Sequence, residues 1–247
     1  MSVLFEIEQL QCGYNGKTVL EISNLDVPKV PLIFILGPSG IGKSTFLEMT
    51  GLMTKTQQNK PGKFVYHSNK EPIDLSSYWD WEEQEQSNFR KSKYSFVFQQ
   101  TNLMPNFSIL ENMCVPLLIQ GYSIEEAAIK VTETALKMDL PEKILKRPIT
   151  EASGGQLQRI AFTRALSANF EVLFGDEPTG NLDSNNARNL MERLKENLTD
   201  RDASAIIVSH DLGLAEKYAD CIIRIEKVGI GDEFRGKLSN SNKELAK

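Results

Sequence analysis

"LIFILGPSGIGKSTFLEMTGLM", residues 32–53, decides the fold. Leu32 to Leu36 form an unbroken apolar run, which fits a strand buried on both faces at the centre of a sheet. A glycine-rich loop follows at once. Gly37, Pro38, Ser39, Gly40, Ile41, Gly42, Lys43, Ser44 and Thr45 fit the pattern G-x-x-x-x-G-K-[ST]. Its glycines let successive N–H groups turn inward onto phosphate oxygens, and the helix predicted from Lys43 adds its positive end. In this pattern Lys43 reaches the β- and γ-phosphates of a nucleotide, and the Ser44 hydroxyl is a ligand for Mg2+. Strand, loop and helix in that order give the motif its specificity.

The rest of the chain supplies the sheet around this unit. "LFEIEQL" (4–10) and "KTVLEISNLDV" (17–27) alternate apolar and polar residues, as half-buried antiparallel strands do. Residues 93–99, 171–177, 204–211 and 219–226 read as further strands, with helical patterns before or between them. The fold class is therefore α/β with a parallel sheet and ligands at the strand C-terminal ends. From Pro105 to about Leu166 the strand signal fades, and residues 108–120, 123–138 and 154–168 carry helical periodicity. This places an α-helical subdomain at 99–168, inserted into an α/β core of 1–98 and 169–247 within one domain of 1–247. "WDWEEQEQSNFRKSK" (79–93) is acidic first and basic after, which fits a solvated helix. "TQQNKPGKFVYHSNKEP" (56–72) gives no readable strand pattern.

Composition narrows the class. The 247 residues are 40% hydrophobic and 25% charged, with a formal net charge of -5. An acidic total argues against nucleic acid as the main partner. Cys12, Cys114 and Cys221 lie far apart without metal-ligand spacing, as expected of reduced, buried thiols. No apolar run is long enough to span a membrane, and the N-terminus lacks a signal-peptide pattern.

A phosphate loop needs partners, and the strand ends provide candidates. Asp176 and Glu177 end the apolar strand "VLF"; Asp176 is the candidate metal carboxylate and Glu177 the candidate general base for water. Pro178 biases Glu177 toward an extended backbone. Gln99 ends another strand, and its amide oxygen suits a metal and the attacking water. His210 ends "AIIVSH" and suits a hydrogen bond to the γ-phosphate that also orders Glu177. Tyr14, between the first two strands, offers a ring to a purine base. "EASGGQLQR" (151–159) holds a second glycine turn: Ser153 and the amides of Gly154 and Gly155 open a helix and suit an anion.

Taken in order, Tyr14, "GPSGIGKST", "FVFQQ", "SGGQLQR", "VLFGDE", "GNLD" and "VSHD" resemble the aromatic loop, Walker A, Q-loop, signature, Walker B, D-loop and H-loop of the ATP-binding-cassette (ABC) ATPase family. The resemblance covers most of the chain. It implies a P-loop (RecA-like) core with an antiparallel β subdomain and the helical insertion. It implies ATP and Mg2+ as cofactors, with Ser44, Gln99 and Asp176 toward the metal. It implies Ser153, Gly154, Gly155, Gln156 and Asp183 at the ATP of a second, identical subunit, packed head to tail. Two departures stand out. Ala152 replaces the usual leucine before the signature serine, removing apolar packing under the loop. Gly175 precedes Asp176 where a larger residue is frequent, which loosens the strand end.

"DEPTGNLD", "FVFQQTNLMPNFSILENM" and the short C-terminus look most like the ATPase subunits of lipoprotein-releasing, macrolide-efflux, cell-division and peptide-resistance transporters. That likeness implies a cytoplasmic protein, peripheral on the inner face of the membrane, bound to an integral membrane subunit. Leu103, Met104 and Phe107 would line its docking groove. An importer ATPase is the strongest rival, and a soluble ABC ATPase on a non-membrane scaffold a weaker one. A GTPase would need N-K-x-D, and "NKEP" (69–72) is not that. The stretch between residues 45 and 153 is too short for the long coiled coil of a chromosome-organising ABC ATPase.

Overall fold

A computed structural model of the chain describes residues 2–53, 62–229 and 235–245. Two six-stranded sheets face each other. The first is built from β1 (Val3–Tyr14), β2 (Lys17–Pro28), β4 (Lys63–His67), β5 (Pro72–Asp74), β10 (Glu226–Val228) and β11 (Arg235–Ser239), in the order β10-β11-β2-β1-β4-β5. It is antiparallel except where β11 runs parallel to β2. The second sheet has the order β12-β9-β3-β8-β7-β6, with β3 (Leu32–Leu36), β6 (Tyr94–Phe98), β7 (Val172–Asp176), β8 (Ser204–Val208), β9 (Cys221–Arg224) and β12 (Lys243–Leu245). All of its pairs are parallel except β12 with β9. The α/β class and the antiparallel first strands read from the sequence are both present.

The unbroken apolar runs have a direct cause. Successive side chains of a strand point to opposite faces. Ile33, Ile35, Phe174, Ile206 and Val208 enter the core shared with the first sheet and with α1 (Lys43–Thr50). Leu32, Phe34, Leu36, Leu173 and Ile207 enter a second core on the opposite face, under α5 (Gly154–Ser167), α6 (Ser184–Arg201) and α7 (Leu212–Tyr218). A strand covered on both faces has no polar side to show. A third cluster lies within α3 (Ile109–Ile119), α4 (Ile124–Lys137) and the start of α5, where Met113, Leu117, Val131 and Ile160 meet.

α2 (Glu83–Lys93) has no buried residue, with Glu83 and Glu85 in its first turn and Arg90, Lys91 and Lys93 in its last, each suited to the helix dipole. Trp79 and Trp81, just before the helix, and Phe89 on it nevertheless pack against the core and anchor this solvated stretch. β4 falls inside the stretch 56–72 that gave no strand pattern, and β5 begins at its last residue, Pro72; residues 56–61 of that stretch lie outside the described residues. At the C-terminus, β11 belongs to one sheet and β12 to the other. Asn240 between them donates to Asp26 Oδ2 at 3.1 Å and accepts from the Asp26 amide at 2.8 Å.

Gly175 corrects an expectation. It does not loosen the strand end: it is buried and paired on both sides, to Val97 and Ile207. A Cβ built there would lie 2.6 Å from Ile207 Cδ1 and 3.2 Å from Pro178 Cγ. The glycine makes room for close packing beside the end of β7.

Candidate active site

The parallel register brings the chemistry together. Asp176 pairs with Phe98 on one side and Val208 on the other, and Val208 pairs with Ile35 of β3. Gly37, Gln99, Glu177 and His210 therefore all leave the sheet at one edge, where ligands of open α/β sheets bind.

The phosphate loop runs from Gly37 into α1. Gly40 and Gly42 have φ of 73° and 107°, the left-handed region that disfavours other residues. Gly42 is the N-cap of α1, and no side chain caps that helix. By contrast α3, α4, α5, α6 and α7 are capped by Ser108, Ser123, Ser153, Asp183 and Asp211. The uncapped amides of α1 are suited to an anion. Ser39 and Gly40 are exposed, whereas Ile41 and Thr45 are buried and anchor the loop. Lys43 lies across the loop, its Nζ donating to Gly37 O and Pro38 O, both at 2.9 Å. Burial lowers its pKa, and the charges of Glu177 and Asp176 oppose that shift.

Ser44 Oγ donates to Asp176 Oδ1 at 3.3 Å. Burial raises the Asp176 pKa; the Ser44 bond and Lys43 oppose the rise, while Glu177 and Glu48 add to it. A hydroxyl and a carboxylate are hard oxygen donors of the kind Mg2+ takes together with phosphates and water. Among the described residues no group of three or more His, Cys, Asp or Glu could hold a metal by itself. The pair thus fits a nucleotide-borne cation.

Glu177 Oε1 lies 2.5 Å from His210 Nε2. The Glu177 backbone departs from expectation: φ is 45°, left-handed, where Pro178 was expected to hold it extended. The cause is hydrogen bonding. Its N–H donates to Val208 O at 2.9 Å and its carbonyl accepts from Gly180 N at 3.1 Å, so one residue closes the sheet and opens a turn. Such a backbone costs about 1–3 kcal/mol and persists only where neighbours hold it. Gln99 is exposed just past β6. Its backbone carbonyl faces Asn181 Nδ2 at 3.5 Å and its side chain crosses close to Gly180. Tyr14 ends the β1–β2 hairpin, whose Asn15 and Gly16 have φ of 52° and 77°, the signature of a tight two-residue turn. Its hydroxyl bonds Glu48 of α1, which sets the half-exposed ring beside the loop.

Ser153, Gly154, Gly155 and Gln156 form the start of α5. Ser153 N donates to Gln156 Oε1 at 2.9 Å and Gln156 N to Ser153 Oγ at 3.4 Å, a capping box. Apart from the adjoining residues and the helix's own backbone, nothing lies within 4 Å of a Cβ built on Gly154 or Gly155, so the turn is open to an incoming group. Ala152 is half-buried against the third cluster. Asp183 caps α6, its Oδ1 accepting from Asn185 N and Asn186 N at 3.0 Å. Those bonds, led by the Asn186 amide, lower its pKa.

Residues 20–180 match the ABC transporter family. The chain belongs to this family of ATP-binding ATPases. The cassette is 35% identical to the lipoprotein-releasing system ATP-binding protein LolD of Aquifex aeolicus, over 87% of this chain and 91% of that protein. It is 34% identical to the ABC transporter ATP-binding protein MJ0796 of Methanocaldococcus jannaschii, over 82% of this chain and 83% of that one. The dimeric structure of MJ0796 superposes with a TM-score of 0.78 at 29% identity, covering 98% of both chains. A post-hydrolysis dimer of MJ0796 with ADP and Pi gives 0.77 at 28% identity, again over 98% of both. No helix among the described residues of the ABC ATPase is long and apolar enough to cross a membrane.

Three residues of α5 went unread in the sequence although they touch site segments. Gln158 donates to Pro178 O. Arg159 Nη2 donates to Asn186 Oδ1 at 2.7 Å. Arg164 donates to Thr101 O at 2.7 Å and Asn102 O at 2.8 Å. Their signal was available: polar residues on a helix whose pattern demands burial.

Proposed function

We propose that this ABC ATPase is the motor subunit of a transporter of the lipoprotein-releasing kind, closing head to tail with a second copy around two Mg-ATP. One observation carries the reading: Lys43, Ser44, Asp176, Glu177 and His210 gather at the C-terminal ends of the parallel strands, while the glycines of the Ser153-Gly154-Gly155 helix start have no other segment of the chain packed over them. The second turn lacks a phosphate in its own chain, and a symmetric dimer supplies one. In this arrangement Ser153, Gly154, Gly155 and Gln156 meet the γ-phosphate of the partner's ATP, and Asp183 lies at the interface. The dimeric structures of MJ0796 support it.

Within one site, the amides of residues 37–45 cradle the phosphates and Lys43 exchanges its bonds to the loop carbonyls for phosphate oxygens. Ser44, Asp176 and Gln99 would hold Mg2+, which would supply neutralisation of phosphate charge. Glu177 orients and deprotonates water, with His210 holding its carboxylate and reaching the γ-phosphate. Tyr14 stacks on the adenine. Residues 99–168 move with the state of the site, through Gln99.

The membrane subunit docks where that movement is felt. Met104 and Phe107 are 41% and 40% exposed, and Leu103 is half-buried beside them, an apolar ledge for a short amphipathic helix at the cytoplasmic face. The names of the LolD relatives favour lipoprotein release over import. Phe107→Asp should leave ATP binding and the melting transition unchanged while co-purification with the membrane subunit falls. A Phe107→Asp protein that still binds its membrane subunit and is stimulated by it to the normal extent contradicts this docking surface.

A further inference from the structure

α5 belongs to two cores at once. Ile160 sits in the cluster of α3 and α4, whereas Phe162, Ala165 and Leu166 sit under the parallel sheet. Between the open turn at Ser153 and that sheet, the helix buries Gln158, which is 2% exposed. Its amide donates to the carbonyl of Pro178. Among the described residues no backbone N–H donates to that oxygen. A buried glutamine spent on one loop carbonyl is a costly choice for a position that an apolar side chain could fill. The loop in question is the turn that holds Glu177 at a φ of 45°.

We propose that Gln158 is a positioning residue for hydrolysis, whose amide pins the Pro178 carbonyl so that the set of Glu177 follows the placement of the helix that begins at Ser153. The physical link is short. A residue before proline prefers an extended backbone, so the left-handed Glu177 needs restraint on both sides. Val208 O at 2.9 Å and Gly180 N at 3.1 Å hold the N–H and carbonyl of Glu177 itself, and as a second restraint Gln158 holds the carbonyl of the next residue. Releasing the second restraint lets the turn relax and carries the carboxylate away from His210 Nε2, now 2.5 Å distant. The same helix reaches the neighbouring segments through Arg159 on Asn186 and Arg164 on Thr101 and Asn102, so it sits where the elements of the site meet. A group arriving at the Ser153 end could thereby set the base at the other. This inference rests on the reading of Glu177 as the base.

The test uses the full chain carrying Gln158→Met or Gln158→Glu, each close in size to glutamine and without its amide donor. Steady-state ATPase, ATP affinity and melting are measured beside Glu177→Gln, and Gln158→Met is also combined with Glu177→Gln. We expect kcat to fall by about tenfold or more, as misplacement of a reacting group does. ATP affinity and melting should stay near wild type. In the Glu177→Gln background the Gln158→Met change should add nothing, because it acts through the missing base. Wild-type hydrolysis by Gln158→Met and Gln158→Glu beside an inactive Glu177→Gln protein overturns the proposal and leaves the base in place. Normal hydrolysis by Glu177→Gln instead removes the base itself. If both Gln158 variants lose melting and ATP binding together with activity, or if the losses add in the double variant, the residue is structural only and the proposal is overturned.

Discussion

Glu177→Gln is expected to reduce ATP turnover by about 10^2–10^4-fold, the range that general-base catalysis supplies, while ATP still binds. The substitution keeps the shape of the side chain and an oxygen for His210 Nε2, which lies 2.5 Å from Glu177 Oε1. It removes only the basicity. The phosphate contacts proposed for residues 37–45 and the Ser44–Asp176 pair are separate from it, so affinity for Mg-ATP should persist. With binding intact and hydrolysis stopped, the ATP-bound dimer should accumulate, visible as an ATP-dependent doubling of mass in solution. Near-normal hydrolysis under saturating Mg-ATP would remove Glu177 from its role.

Lys43→Ala acts on the other half of the cycle. Lys43 is 5% exposed and its ammonium is bonded to Gly37 O and Pro38 O, so it is pre-placed in the candidate phosphate loop. A hydrogen bond to a charged group contributes about 1.5–3 kcal/mol, so its loss should weaken ATP binding roughly 10–150-fold. Calorimetric titration separates this from the Glu177 effect, because here the dissociation constant moves. The melting transition without nucleotide is the control, since two carbonyls also lose a donor. ATP affinity equal to wild type in Lys43→Ala would contradict the placement of phosphate at this loop.

The centre of the fold was legible because its causes are local. A strand covered on both faces must be apolar throughout, and Leu32 to Leu36 are all buried. The glycine loop, the helix behind it and the carboxylates after "VLF" follow from chain order alone. What escaped the sequence depends on partners far along the chain. β11 adds to β2 and Asn240 binds Asp26 across more than two hundred positions, which no local pattern records. β4 and β5 are short and sit in a polar stretch, so periodicity had little length to act on. The backbone of Glu177 was misread because the steric rule for a residue before proline is local, whereas the bond to Val208 that helps override it is tertiary. Gly175 was misread for the same reason, since only the approach of Ile207 shows why a side chain is missing there. The Asn15-Gly16 turn that carries Tyr14 was within reach, because Asn-Gly is the strongest short hairpin signal.

The central claim is that each ATP is shared between two chains, and mixing two inactive proteins tests it directly. One carries Ser153→Arg, which fills the open turn, and keeps its phosphate loop. The other carries Lys43→Ala and keeps its signature turn. In either homodimer both composite sites are damaged. In a mixed dimer one site carries both defects and the other is intact, so an equimolar mixture should recover about a quarter of wild-type ATPase if dimers form at random and sites act independently. Tagging one protein and capturing the other confirms that mixed dimers are present. Recovery of activity on mixing is the result expected for a shared site; captured mixed dimers that hydrolyse no faster than either parent would contradict it.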